Sequence, residues 1–245
     1  MSLDNYANLQ TAIGSWLNRS DLTSNITDFI AIAEFQMRRR FQMALTEGKM
    51  LPRKMVTSTS VTITAATEFE SLPADFLGAL SFYLDPQTVN AQTVGAVQLD
   101  YVSPANLEYQ KQRRGPNATN SMPGLYSIVG AQLQFLPIPD YTYTGTLYYW
   151  QDFVPLATSP NTNWIFANWP DAYLYGALTQ SAPFLMDDSR LQMWATLFAQ
   201  TVDDIIASDP LPNDRSWLRM DSGLLFKTDG MSAFNITSGD FYNPP

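Results

Sequence analysis

The sequence predicts an α+β protein: a helical bundle domain formed by N-terminal and late helices, an inserted β-rich domain, and an extended C-terminal arm. Three observations point there. Apolar residues recur with a period near 3.6 up to residue 54, near 2 from 55 to 160, and near 3.6 again from 161 to 209. From residue 210 to 245 no period is sustained. Hydrophobic residues make up 45% of the 245-residue chain, ample for a core. The expected divisions are therefore 1–54 and 161–209 for the helical domain, 55–160 for the insert, and 210–245 for the arm.

The elements follow in order. Tyr6, Leu9, Ile13, Trp16 and Leu17 are spaced by threes and fours, which predicts a helix over about 4–18. "NRSDLTSN" then offers turn residues, with Ser24 or Asn25 as N-cap of a second helix. Its apolar stripe is Ile26, Phe29, Ile30, Ala33, Met37, Phe41 and Ala44, and Gly48 and Pro52 end it. "VTSTSVTIT" alternates and is rich in β-branched residues, as a strand requires. Further strands are expected at "FLGALSFYL", "AVQLDYV", "LYSIVGAQLQFLP" and "GTLYYWQDFV", the third folding as a hairpin around Gly130. A short helix is expected at "SPANLEYQKQ", with Ser103 as N-cap and Pro104 in the first turn. "RRGPNATNSMPG" reads as a mobile surface loop. After "LATSPNTN" the helical period returns: Asn168 caps, Pro170 opens, and Tyr173, Leu174, Ala177, Leu178 and Ser181 share a face. Pro183 should bend or stop that helix near Ala182. Asp187 or Asp188 then caps a last helix carrying Leu191, Trp194, Phe198, Val202 and Ile205, giving an antiparallel helical pair. The arm mixes Pro, Gly, Asp and Asn with single aromatics, too apolar for a solvated tail and too irregular for a core element. It is expected to order by lying on something else.

Composition closes several function classes. The chain has no histidine and no cysteine. That removes Ser-His-Asp and Cys-His nucleophile systems, thiol redox chemistry, and zinc sites of the usual ligand set. Carboxylate chemistry stays open. Neither G-x-G-x-x-G nor G-x-x-x-x-G-K-[ST] occurs, so the common phosphate-cradling loops are missing, and no cofactor is expected. Charged residues make up 15%, below the roughly 25% of an average domain, which suits a surface that contacts other subunits. A formal charge of −9 argues against a general nucleic-acid binder. No signal-peptide run opens the sequence and no stretch of about 18 apolar residues occurs, so synthesis in cytoplasm without a membrane span is expected. Basic residues cluster at Arg19, Arg38, Arg39, Arg40, Lys49, Arg53 and Lys54, then vanish between residues 55 and 110, hinting at one more basic end.

Four features allow two readings each. Trp164, Trp169, Tyr173 and Tyr175 could stack on sugar rings or bases, or be buried in a helix pair, as their spacing favours. Asp187–Asp188 suit capping better than metal or acid/base work, and Asp203–Asp204 point about 100° apart on a helix. Arg38, Arg39 and Arg40 sweep about 200° of arc, too wide for one flat patch, so a solvated or intersubunit salt-bridge role fits them. Arg113 and Arg114, in the expected loop, are better placed to reach a partner.

Four segments in order, "SWLNRSDLTSNITDFIAIAEFQMRRRF", "FESLPADFLGALSFYLD", "GLYSIVGAQLQFLPIPD" and "NWIFANWPDAYLYGALTQSAPFLMDDSRLQMW", resemble the successive signatures of phage head-to-tail adaptor (connector) proteins, the tail tubular A-like proteins of short-tailed phages. The resemblance covers most of residues 1–209. It implies a non-enzymatic virion subunit, assembled in host cytoplasm, in a ring usually of twelve copies beneath the portal. Such a ring joins the portal protein to the tail nozzle protein, often helps seat tail fibres or spikes, and surrounds the DNA exit channel. It carries no catalytic, cofactor or metal residues over. A net acidic chain suits a ring through which DNA must pass without being held. Partner contacts are expected at Arg113 and Arg114, and in the arm at Trp217, Leu218, Leu224, Leu225, Phe226, Phe234, Phe241 and Tyr242. Two rival readings stand beside this one: a carbohydrate-binding or glycoside-hydrolysing tail protein, and a nozzle or fibre-binding component.

Overall fold

A computed structural model describes residues 3–19, 21–89, 91–115, 118–158, 160–185 and 190–208. The expected Asp187–Asp188 cap and every arm residue named above lie outside them.

Helix α1 (Tyr6–Leu17) starts where the Asn5 side chain accepts from the Asn8 N–H at 2.8 Å, and ends where Asn18 turns left-handed at φ 53°. Helix α2 (Thr23–Thr46) begins before both expected caps. Ser24 and Asn25 lie inside its first turn, and the residue at the cap position is Leu22, which makes no side-chain capping bond. Leu22 is buried, so core packing rather than a polar cap fixes this end. The whole expected stripe of α2 is buried, and Gly48, at φ 72°, lets the chain leave the helix.

Three helices complete this part: α4 (Trp164–Asn168), α5 (Pro170–Leu185) and α6 (Leu191–Ala207). The short α4 was not expected. Asn163 caps it by accepting from the Phe166 N–H at 2.8 Å, while Asn168, the expected cap of α5, is its last residue and donates to the Trp164 carbonyl. Helix α5 continues past Pro183 to Leu185 instead of stopping near Ala182, because only its final turn loses a backbone bond. Arg190 occupies the position before α6, and Trp194, Phe198, Val202 and Ile205 are buried as expected. Helix α5 packs against α1, α2, α4 and α6. Gly176 sets how closely: a Cβ there would meet the Ala33 Cβ at 2.8 Å and the Phe198 ring at 2.9 Å.

Between these helices the described residues form nine strands: β1 (Val56–Ile63), β2 (Phe69–Ser71), β3 (Phe76–Leu84), β4 (Gln87–Val89), β5 (Gln92–Val94), β6 (Val97–Tyr101), β7 (Leu125–Val129), β8 (Gln132–Leu136) and β9 (Tyr143–Gln151). Seven form one sheet in the order β1-β9-β3-β6-β7-β8-β2. All neighbours are antiparallel except β6 and β7, which are parallel and joined by a crossover containing α3 (Pro104–Arg114). The β7–β8 hairpin turns at Gly130, φ 61°, as expected. Strands β4 and β5 pair only with each other. The Gln87 side chain nevertheless bonds the Thr144 backbone twice, donating to its carbonyl at 3.1 Å and accepting from its N–H at 3.0 Å.

Two apolar clusters result. One is helical and takes in Trp150 and Phe153; the other gathers Phe82, Leu99, Tyr126, Phe135, Leu147 and Tyr149 from the sheet. Strands β1, β3 and β9 contribute to both, Val56, Leu80 and Trp150 facing the helical cluster.

The tight contact at Gly176 makes a test of the helical packing. Gly176→Val should lower unfolding stability by about 2 kcal/mol through overpacking. Gly95→Ala, at a glycine with open space around it, should change it by less than about 0.5 kcal/mol. Urea midpoints of both variants measure this.

Candidate interaction surface

Helix α3 is longer than expected. It runs to Arg114, so Arg113 and Arg114 sit in its last turn and not in a loop; Gly115, at φ 79°, ends it. Ser103 occupies the cap position without a side-chain bond, and Pro104 opens the helix as expected. One face of α3 is fastened down. Leu107 is fully buried. Lys111 Nζ donates to Glu68 Oε1 at 2.6 Å, and the buried Gln134 amide donates to the same oxygen at 2.7 Å and to Glu108 Oε1 at 3.0 Å. Burial alone would raise the Glu68 carboxyl, but the Lys111 and Gln134 hydrogen bonds and the lysine charge outweigh it and hold the group below its usual value. The other face carries exposed Tyr109, with the Arg113 guanidinium 6.0 Å from its ring centroid.

Beside the end of α3 opens a cleft of about 480 Å³ between Lys111 and Arg114 on one side and Leu136, Pro137 and Ile138 on the other, with residues 118–120 forming its rim. Glu108 lines it as well, and this mixture of apolar and charged side chains suits an extended peptide segment. Among the described residues no group of three or more acidic side chains could hold a metal ion, and no helix is long and apolar enough to cross a membrane.

The aromatic stretch around residues 164–175 is packing. Tyr173 is fully buried, and Trp164, Trp169 and Tyr175 pack against the helical cluster. Trp164 meets Trp169 edge-on at 6.1 Å, and Tyr175 meets Trp16 edge-on at 6.3 Å. Trp164, Trp169 and Tyr175 are half-buried, and their packing accounts for the helical spacing of these rings.

A buried polar cluster lies behind these rings, and sequence reasoning missed it. Glu34, on the buried side of α2, accepts from the Leu156 N–H at 2.7 Å and is hydrogen-bonded to Tyr173. The Tyr173 hydroxyl accepts in turn from the Asn163 side chain at 2.7 Å. Arg38, one turn further along α2, pairs with Asp152 and lies over the rings of Phe35 and Phe153. Arg38 is therefore an internal tie rather than the solvated or intersubunit charge expected; Arg39 and Arg40 remain exposed. The legible signal was Glu34 and Arg38 at i and i+4 along the edge of an apolar stripe.

Burial raises the Glu34 carboxyl above the ordinary 4.5, more than the Leu156 N–H, the Arg38 charge and the Tyr173 hydroxyl lower it. A carboxyl raised on folding stabilises the folded state below the unfolded value, and that contribution is lost as pH rises through the folded one. Glu34→Gln keeps an acceptor for the Leu156 N–H and cannot ionise. Its stability relative to the parent should therefore improve as pH rises from about 4 to about 7. A constant difference in urea midpoint across that range would show that Glu34 does not titrate there.

A family model described as SU10 adaptor protein matches residues 4–219, spanning every helix and strand described above and the first part of the arm. No curated protein matches the chain.

Proposed function

The chain belongs to the SU10 adaptor protein family, and from that premise we propose that it is a subunit of a ring, twelve copies around, that joins the phage portal to the tail nozzle. Membership itself implies a structural role in the virion. The observation that carries the finer reading is the length of the match: it takes in the helical part, the sheet and the start of the arm together, so the whole described chain serves one adaptor design.

The physical properties agree with such a place. A charge of −9 keeps DNA passing through the ring from being gripped by phosphate contacts. The few charges and many aromatics suit broad subunit interfaces. The tip of α3, with Tyr109, Arg113 and Arg114 beside the cleft, is a compact surface for a neighbouring virion protein, and fibres or spikes are further candidates for it. The arm, including Trp217, Leu218, Leu224, Leu225, Phe226, Phe234, Phe241 and Tyr242, is assigned to the portal. Ordering on a partner would couple docking to assembly.

Light-scattering mass of the protein alone and after mixing with portal rings tests the reading. The expected outcome is portal plus a full ring of copies; no added mass would favour the nozzle or fibre-binding alternative. Deleting residues 211–245 should abolish portal binding and leave thermal unfolding nearly unchanged. Arg113→Glu with Arg114→Glu should weaken binding to the partner seated at α3 by about tenfold, mostly through a slower on-rate that high salt masks.

A further inference from the structure

We propose that neighbouring copies in the ring meet through the outward faces of α2 and α6, with Arg39 of one copy against Asp204 of the next. The inference rests on the ring reading above and assigns the surfaces that build it.

A helix buried along one stripe normally turns a polar face outward. Helix α2 does not. Opposite its buried stripe, Ile32, Phe35, Arg39 and Met43 follow one another at steps of three and four, so they share a face about 16 Å long. Ile32 is 42%, Phe35 56% and Met43 55% exposed. Helix α6 carries the opposite charge on a less apolar face, where Leu197 is half-buried. Met193, Leu197, Gln200 and Asp204 run along its outward face at steps of four, three and four, and Met193 is 52% exposed. The inward faces of both helices turn to α5, where Gly176 lies against Ala33 of α2 and Phe198 of α6. Each helix therefore has its back to the shared core and leaves apolar side chains exposed outside, Ile32, Phe35 and Met43 on α2 and Met193 on α6.

Charge selects the occupant. Arg39 and Asp204 are both exposed, and neither has an ion-pair partner among the described residues. The adjacent Arg40 and Asp203 differ, because both act on Lys49 of their own chain. Among the described residues, Arg39 on the α2 face and Asp204 on the α6 face are complementary charges on two unlike surfaces. Repeated head to tail, such a contact is heterologous and builds a ring when its rotation closes; paired reciprocally, the same two surfaces would stop at a dimer, and the length of the linked chains tells the two apart.

The absence of cysteine permits a direct test. A chain carrying both Arg39→Cys and Asp204→Cys is mixed with portal rings and treated with a short bis-maleimide, since Cα atoms further apart than about 7 Å cannot be joined by a disulfide. A ladder of linked chains reaching the full ring is expected, with neither single-cysteine chain giving one. In parallel, Arg39→Glu and Asp204→Arg should each lower assembly on the portal at least tenfold, and the two together should restore it. Full assembly by light scattering without a ladder, or charge reversals without effect, overturns the assigned faces while leaving the ring intact. No added mass with the unaltered chain overturns the ring and the faces together.

Discussion

The structure depends on one shared ladder. Strand β9 pairs with β1 along its full length and with β3 on its other edge, in the register Val56↔Trp150 at one end and Ile63↔Tyr143 at the other. Trp150 is buried with the helices, and Leu147 and Tyr149 are buried with the sheet. A slip of one residue would exchange the faces of all three. Gly145 holds the register from the sheet side, because a Cβ there would strike the Phe82 ring at 2.7 Å and the Tyr83 carbonyl at 2.8 Å. Gly78 does so nearer the helices, where Leu45 of α2 lies 3.3 Å from the position of a Cβ. The helical and sheet parts thus meet through continuous strands and not through a linker.

Long periodic segments were legible in the sequence. Strand β3 occupies the span "FLGALSFYL", every residue of the α2 stripe is buried, and the β7–β8 turn falls at Gly130, because in each case local pattern and tertiary demand agree. Short elements were not. Strands β2, β4 and β5 have three residues each, too few for a period to show, and α4 is a single capped turn and a half. The start of α2 was misread because capping chemistry was present at Ser24 and Asn25, while burial of Leu22 decided the matter. For α3, Gly115 and the basic residues before it were stop signals that place Arg113 and Arg114 inside the helix.

Long-range polar partners lay beyond sequence reasoning for a different reason. Nothing local to Arg38 tells that Asp152 will lie beside it, nor does the neighbourhood of Glu34 announce the Leu156 N–H. These groups come from segments more than a hundred residues apart in sequence and meet only in the folded chain. Their cost of burial is offset by mutual hydrogen bonding, and they fix how the segment after β9 lies along α2. Charge in this protein is accordingly of two kinds: a few buried groups that set internal geometry, and an exposed population part of which pairs locally, as Arg19 does with Asp21 and Lys49 with Glu47.

The β4–β5 hairpin has a practical consequence. Its strands bond only to each other, and the Gln87 amide stands in for one more peptide unit at the end of the β9 ladder. The hairpin is in effect an appendage closed off at its base. A foreign epitope or a fluorophore attachment sequence spliced between the two strands would leave the main-chain pairing below untouched. The fold supplies its own handle for visualising individual subunits inside an intact particle.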